Sequence, residues 1–223
     1  MKKLLFAFAF VLLTFTAAQA QSGLGIRGGA NLSNLEGDLR DESLYENKWG
    51  FHAGLTYNIA IVEDFFSVQP ELLYSSKGFK NADEEYTLPN QVGTVYRREG
   101  KMNYNYIDLP ILAKITAGPI YFEAGPQASY LLSVNDETRV YANDNLLTTS
   151  RTEIDKDNLK SFELGYAAGV GFTTGERFNI GVRYNGSFND FVDDTPDNYF
   201  NEEDIRNARN SVFMLTAAVY FTR

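Results

Sequence analysis

His52 is the only histidine in a chain of 223 residues that has no cysteine. A lone histidine suggests a general base, which in a serine-type hydrolase would serve a nearby nucleophile and be oriented by an acid. No GxSxG element or other nucleophile motif accompanies it. A satisfied interior or rim histidine is the better reading. A second group, Asp193, Asp194, Asp197, Glu202, Glu203 and Asp204, concentrates carboxylates near the C-terminus. Such a run could hold Ca²⁺ or Mg²⁺, but the EF-hand spacing is absent, so a solvated acidic loop is expected. Gly165, Gly169 and Gly171 fall inside a strand pattern rather than before a helix, so they do not make a phosphate loop. The third group is Arg27, Lys114 and Arg183 among Glu71, Asp108, Glu123 and Glu163. These charges could line a polar pathway or form a packed, ion-paired plug. The choice depends on which elements carry them.

Those elements are strands. From Tyr104 to Leu132 the sequence reads YNYIDLPILAKITAGPIYFEAGPQASYLL. Ile107, Leu109, Ile111, Ala113 and Ile115 share one face, and Ile120, Phe122, Ala124, Pro126, Ala128, Tyr130 and Leu132 do the same after a turn at Thr116-Ala117-Gly118. Asp108, Lys114, Glu123, Gln127 and Ser129 take the opposite faces. Period-two alternation of this length marks a sheet that is apolar on one side and polar on the other. Each run approaches the roughly 9–11 residues that a tilted strand needs to cross a bilayer.

The same pattern recurs along the chain. Leu24 to Leu32 carries Arg27 and Asn31 on its polar face. Trp49 to Ile61 alternates with Gly50, His52, Gly54, Thr56 and Asn58. Phe66 to Tyr74 alternates with Ser67, Gln69, Glu71 and Ser75. Three further apolar faces are Phe162–Phe172, Phe178–Phe188 and Phe213–Phe221, the second opposed by Asn179, Arg183, Asn185 and Ser187. Polar stretches at Ser33–Lys48, Lys77–Lys101, Ser133–Lys160 and Asn189–Arg209 read as long loops, and they alternate with short turns. Eight strands with this asymmetry predict an all-β, eight-stranded antiparallel up-and-down transmembrane barrel. Its short turns and termini would be periplasmic and its long loops extracellular.

Aromatic placement points the same way. Phe66, Phe122, Phe172, Phe178 and Phe221 lie near the short-turn end of the apolar faces. Trp49, Phe51, Tyr74, Tyr130, Phe162, Phe188 and Phe213 lie near the other end. Two girdles around an aliphatic band are what a lipid slab selects. Pro70, Pro110 and Pro126 fall inside proposed strands, so bulges or gaps in the hydrogen-bond ladder are expected there.

Residues 1–20, MKKLLFAFAFVLLTFTAAQA, read as a signal peptide. Lys2 and Lys3 precede an apolar core, and Ala18-Gln19-Ala20 fits the cleavage rule, which leaves 21–223 as a single barrel domain. The formal charge is −9. Loss of Lys2 and Lys3 from the 20 basic residues leaves 18 against 29 acidic ones, a net −11. No basic stripe suggests nucleic acid. Mean hydropathy is −0.28, which a barrel with polar interior and loops can share with a soluble protein.

The segments FFSVQPELLYSSKGF (65–79), YIDLPILAKI (106–115), YFEAGPQASYLL (121–132) and VFMLTAAVYF (212–221) resemble the PorT-like, porin-family outer-membrane β-barrel proteins, small barrels of the OmpA/OmpX type. The resemblance covers nearly the whole of 21–223 and tolerates proline at QPE, LP and GPQ. It implies a location in the outer membrane of a Gram-negative envelope. Implied partners are membrane lipid, lipopolysaccharide and, during biogenesis, the barrel-assembly machinery. It transfers no catalytic residue. Phe221 is followed by Thr222 and Arg223, whereas such barrels often end in an aromatic residue. The expectation is a non-enzymatic surface-contact or envelope-integrity protein with no catalytic, cofactor-binding or metal residues. A small passive channel is the alternative, and a lipid-modifying enzyme built on His52 is a third reading.

Overall fold

The computed structural model describes residues 23–38, 45–89, 93–154, 160–175, 177–190 and 207–221. The leader, the carboxylates from Asp193 to Asp204, and Thr222-Arg223 lie outside this set. Nine strands make up the described chain: β1 (Gly23–Asp38), β2 (Tyr45–Val62), β3 (Phe66–Thr87), β4 (Val95–Ala117), β5 (Ile120–Ala142), β6 (Asn145–Ile154), β7 (Phe162–Thr174), β8 (Phe178–Ser187) and β9 (Asn207–Tyr220). Eight of them close a ring in the order β1-β2-β3-β4-β5-β7-β8-β9, with β9 returning to β1, and every pairing is antiparallel.

The ninth strand corrects the reading of Ser133–Lys160 as a loop. On the edge away from β4, β5 has two partners along its length. Ile120–Tyr130 pairs with β7, while Val134–Ala142 pairs with β6. β5 and β6 are joined by Asn143-Asp144, both with positive φ (47° and 64°), the twist that suits a two-residue hairpin turn. Lys77–Lys101 is corrected in the same way: β3 runs on to Thr87 and β4 begins at Val95. Ser33–Lys48 shrinks as well, because β1 extends to Asp38 and β2 starts at Tyr45. The upper parts of β3, β4, β5 and β6 therefore form a four-stranded sheet raised above the ring. Beyond Phe79, Met102 and Val134 this part has no apolar buried face and is held by backbone pairing and ion pairs, so its sequence shows no apolar alternation there.

Within the ring the inside and outside assignments agree with the sequence pattern. Trp49, Phe51, Leu55, Leu109, Ile111, Phe122, Tyr130, Phe162, Val182 and Leu215 are exposed on the outer surface, whereas Arg27, His52, Gln69, Glu71, Asp108, Glu123 and Arg183 are buried. Register also ties the girdles together. Ala53, Tyr74, Ile107, Tyr130 and Phe162 are successive partners across five strands. Phe66, Ile115 and Phe122 line up side by side near the other rim.

The prolines open gaps and not bulges. In the β3–β4 ladder, pairing stops at Pro70–Ile111 and resumes at Leu73–Asp108 without a change of register. In β4–β5 it stops at Pro110–Gln127 and resumes at Ala113–Ala124. A missing amide donor explains a gap, and the barrel tolerates it because the flanking pairs hold the register. The turn between β4 and β5 sits at Gly118-Pro119, slightly later than expected, with Gly118 at φ 62°.

Leu109 is 48% exposed on the outer wall, in the apolar row. Leu109→Val should leave barrel stability nearly unchanged. Leu109→Arg should cost roughly 2–4 kcal/mol if the residue lies near the bilayer midplane. Unfolding titrations of both variants in lipid vesicles check this, and equal midpoints would reverse the facing assignment.

Candidate functional site

The site with built chemistry is the lumen. An eight-stranded ring is just wide enough for its own side chains to fill, so strands from opposite sides of the wall touch through their residues. Arg183 on β8 reaches Glu71 on β3, four strands away in either direction. Its Nη1 lies 2.8 Å from Glu71 Oε2, its Nε donates to Glu123 Oε1 at 2.9 Å, and its Nη2 lies 2.7 Å from the same oxygen. Arg27 on β1 completes the cluster, with Nε 2.8 Å from Glu71 Oε1 and Nη1 donating to Thr216 Oγ1 at 3.1 Å. Two arginines and two glutamates make a neutral set with almost no exposure to solvent.

Neutral polar groups finish the layer. Gln69 Nε2 donates to Glu71 Oε1 at 2.7 Å, and the Tyr220 hydroxyl donates to Gln69 Oε1 at 2.7 Å. Small residues on β7 and β8 make the room: a Cβ at Gly171 would collide with the Tyr121 hydroxyl, and one at Gly181 would lie 2.6 Å from it. Gly169 and Gly171 on β7 thus leave space for Glu123 and Tyr121 of β5.

The other interior charges do not join this cluster. Asp108 pairs with Lys77, Nζ to Oδ1 2.9 Å. Lys77 falls where the sequence pattern predicts the start of a loop; in the structure it extends the inward series Leu73, Ser75, Lys77 of β3 past the point where the alternation is visible. Glu163 accepts from Asn210 Nδ2 at 2.5 Å, and the same amide donates to Tyr106 Oη at 3.3 Å, joining β9 to β4 across the lumen. Lys114 lies toward the short-turn end, with its ammonium 4.2 Å from the centre of the Tyr121 ring. With the Asn179 amide turned so that its oxygen faces the ammonium, Lys114 Nζ donates to it at 2.7 Å. A cavity of about 60 Å³ opens beside this pair, lined in part by Ser67, Thr116 and Tyr220.

His52 is 1% exposed and points inward. Its Nδ1 donates to Asn31 Oδ1 at 2.7 Å, and Asn31 Nδ2 donates to Ser75 Oγ at 3.1 Å and to the carbonyls of Phe51 and Ser76. The contact of the ring is an amide, and lipid on the outer wall cannot reach it. Among the described residues no group of three or more His, Asp or Glu is arranged to hold a metal ion.

Above the charges the lumen is capped by an apolar cluster that the sequence pattern did not reveal. Leu35, Phe79, Met102, Tyr104, Tyr106, Leu131, Val134 and Ala208 are buried together, with Tyr45 and Ile154 packed against them. They come from β1, β3, β4, β5 and β9, so the cap ties distant parts of the ring at its raised rim. Tyr45 meets Phe79 edge-on at 5.1 Å, and Phe79 lies 6.0 Å from Tyr104.

On the raised sheet, Glu137 binds three cations: Lys101 Nζ at 2.9 Å, Arg139 Nη2 at 2.7 Å and Arg151 Nε at 2.8 Å. Desolvation pushes the Glu137 carboxyl up, but hydrogen bonds from Lys101 and Arg151 and the nearby positive charge outweigh it and bring the pKa to about 2. A depressed pKa contributes stability that is present above the unfolded value, near 4.5, and is lost as pH falls toward 2. Amide-exchange protection in β5 and β6 above the rim should therefore drop between pH 5 and pH 2. Glu137→Gln should lack that step; a parent protein without it would mean that the cluster does not hold the sheet.

Arg183→Ala should destabilise the barrel by about 3–5 kcal/mol, because it leaves Glu71 and Glu123 facing Arg27 alone in a dry site. Adding Glu71→Gln should restore part of the loss. Unfolding free energies of the single and double variants measure both effects.

The sequence matches the family described as outer membrane protein beta-barrel domain over residues 17–193. Among solved structures, the chain is similar to Ail of Yersinia pestis, solved in complex with the heparin analogue sucrose octasulfate. That match has 14% identity and a TM-score of 0.46, and covers 91% of this chain and 100% of that one. Neisserial surface protein A (NspA) is similar at 15% identity and a TM-score of 0.39, covering 91% and 100%. The outer membrane protease OmpT of Escherichia coli is similar at 11% identity and a TM-score of 0.38, covering 91% and 95%. No curated protein matches the sequence. The family match runs from ahead of β1 to beyond β8, well over half of the chain. The chain therefore belongs to the outer membrane protein beta-barrel domain family, and its place is the outer membrane.

Proposed function

We propose that this protein is a closed, non-enzymatic outer-membrane scaffold that holds a contact surface away from the bilayer. The observation that carries the reading is the reach of the strands. β3, β4 and β5 are 22, 23 and 23 residues long, about twice the roughly 9–11 that a crossing requires. The excess is the raised sheet. β6 ends that sheet with side chains that are nearly all exposed, and its outer edge has no partner among the described residues. An unpaired edge is a template to which an extended segment of another protein can add.

In this reading the raised sheet faces outward and both termini are periplasmic, in keeping with the short turns at Glu63–Phe65 and Gly118-Pro119. Residues 1–20 serve as a cleaved export signal, and the barrel-assembly machinery inserts the chain. The QPE, LP and GPQ segments support a PorT-like position within the family. The passive-channel alternative has less support, because the charge cluster and the apolar cap both cross the lumen.

The absence of cysteine makes the orientation directly testable. Thr148→Cys on β6 should react with a large, membrane-impermeant maleimide on intact cells. Asp64→Cys, in the β2–β3 turn, should react only after the outer membrane is opened. The reverse pattern would turn the barrel over and remove the outward contact surface.

A further inference from the structure

The geometry points to a binding site for a small α-amino acid at the short-turn end of the barrel, with Lys114 taking its carboxylate and Asn58 and Asp64 its ammonium. The site is the cavity of about 60 Å³ beside Lys114. That it opens to the periplasm follows from the orientation proposed above; the binding itself does not depend on it.

The chain builds this space in two ways. A register shift between Ala60 and Val62 interrupts the β2–β3 ladder just before the turn, and a bulge of this kind bends the strand away from regular pairing. On the other edge of β2, Asn58 is the partner of Gly23 on β1, which has no side chain to fill the space. Seven of the ring strands, all but β5, contribute to the lining, so the cavity is the foot of the lumen below the arginine–glutamate cluster. A water needs roughly 10–15 Å³ of such space. The cavity therefore admits a ligand of a few heavy atoms.

Its polar groups are of complementary kinds. Lys114 is the base of the lining and Asp64 its acid. Above them Arg27 and Arg183 engage Glu71 and Glu123; Glu123 is also the strand partner of Lys114, but its carboxylate is turned to Arg183. Glu63 and Arg177 lie at the same end of the barrel outside the lining. With its amide turned as described, Asn179 donates to Thr173 Oγ1 at 3.0 Å and accepts from Lys114 Nζ, which holds the ammonium at a fixed point of the wall. Asn58 Oδ1 is buried with no hydrogen-bond partner among the described residues. Such an acceptor calls for a donor. A ligand ammonium answers both Asn58 and Asp64, and a ligand carboxylate answers Lys114. An α-amino acid carries both groups on a single carbon, which suits so small a space.

The test is calorimetric titration of the full-length protein in nanodiscs with glycine. Binding should be saturable and about tenfold tighter than that of acetate or methylamine, each of which carries one of the two charges. Asp64→Asn should weaken glycine about tenfold and leave acetate unchanged. Asp64 sits at φ 55°, which asparagine also tolerates, so the turn is kept. Lys114→Met should lose both ligands, and Ala60→Leu, which fills the cavity from its wall, should lose glycine. Heat-modifiable gel migration reports folding, and Asp64→Asn carries the test if the two buried variants do not fold. A parent protein that binds no glycine would overturn the proposal; a cavity served by water alone gives that result. So would acetate or methylamine bound as tightly as glycine, or Asp64→Asn binding glycine like the parent. Cysteine labelling from the wrong side would change the compartment that the cavity faces and not these affinities.

Discussion

The narrowness of an eight-stranded ring governs the rest of the molecule. Side chains that point inward cannot avoid those from the opposite wall, and no bulk water is available to solvate them. A charge placed there must find its counter-charge inside the same small volume, since an unpaired one is strongly destabilising. Arg183, Arg27, Glu71 and Glu123 meet this demand as one neutral set drawn from β8, β1, β3 and β5. Such a set contributes little net stability compared with an apolar filling, but it fixes which residues face which. A strand slipped by one position would turn its charged residue toward lipid and leave the partner uncompensated.

Above the rim the constraint changes. β3, β4 and β5 leave the lipid and become strands with water available on their faces, and the chain marks the passage. A register shift falls between Asn105 and Tyr106 in the β4–β5 ladder, and Leu131 and Val134 both turn inward across it. A bulge of this kind redirects side chains and increases local twist. It brings Val134 beside Tyr104 in the apolar cap while setting Glu137 on the outer face among its cations. One strand thereby contributes to the plug, the cap and the ion cluster of the raised sheet.

The barrel was legible in the sequence because lipid and lumen impose opposite demands on alternate residues. Trp49 to Ile61 could be read directly, and so could the inward placement of Arg27, Glu71, Asp108, Glu123, Glu163 and Arg183. The raised sheet was not legible, because outside the bilayer neither face of a strand must be apolar; TTSRTE in β6 looks like a loop until its partner is known. Pairing within the lumen was only partly legible. Alternation says that Lys114 and Glu163 point inward, but their heights in the staggered ring decide that neither joins the arginines. Lys77 and the apolar cap were not legible for one shared reason: both depend on strands continuing past the point where the alternation fades.

A lumen filled by the charge cluster and its apolar cap should pass no solute. Reconstitution of the purified full-length protein in planar bilayers measures this, and the parent is expected to show no steady ion conductance. A stable open channel in the parent protein would contradict the plug and make solute passage the primary function.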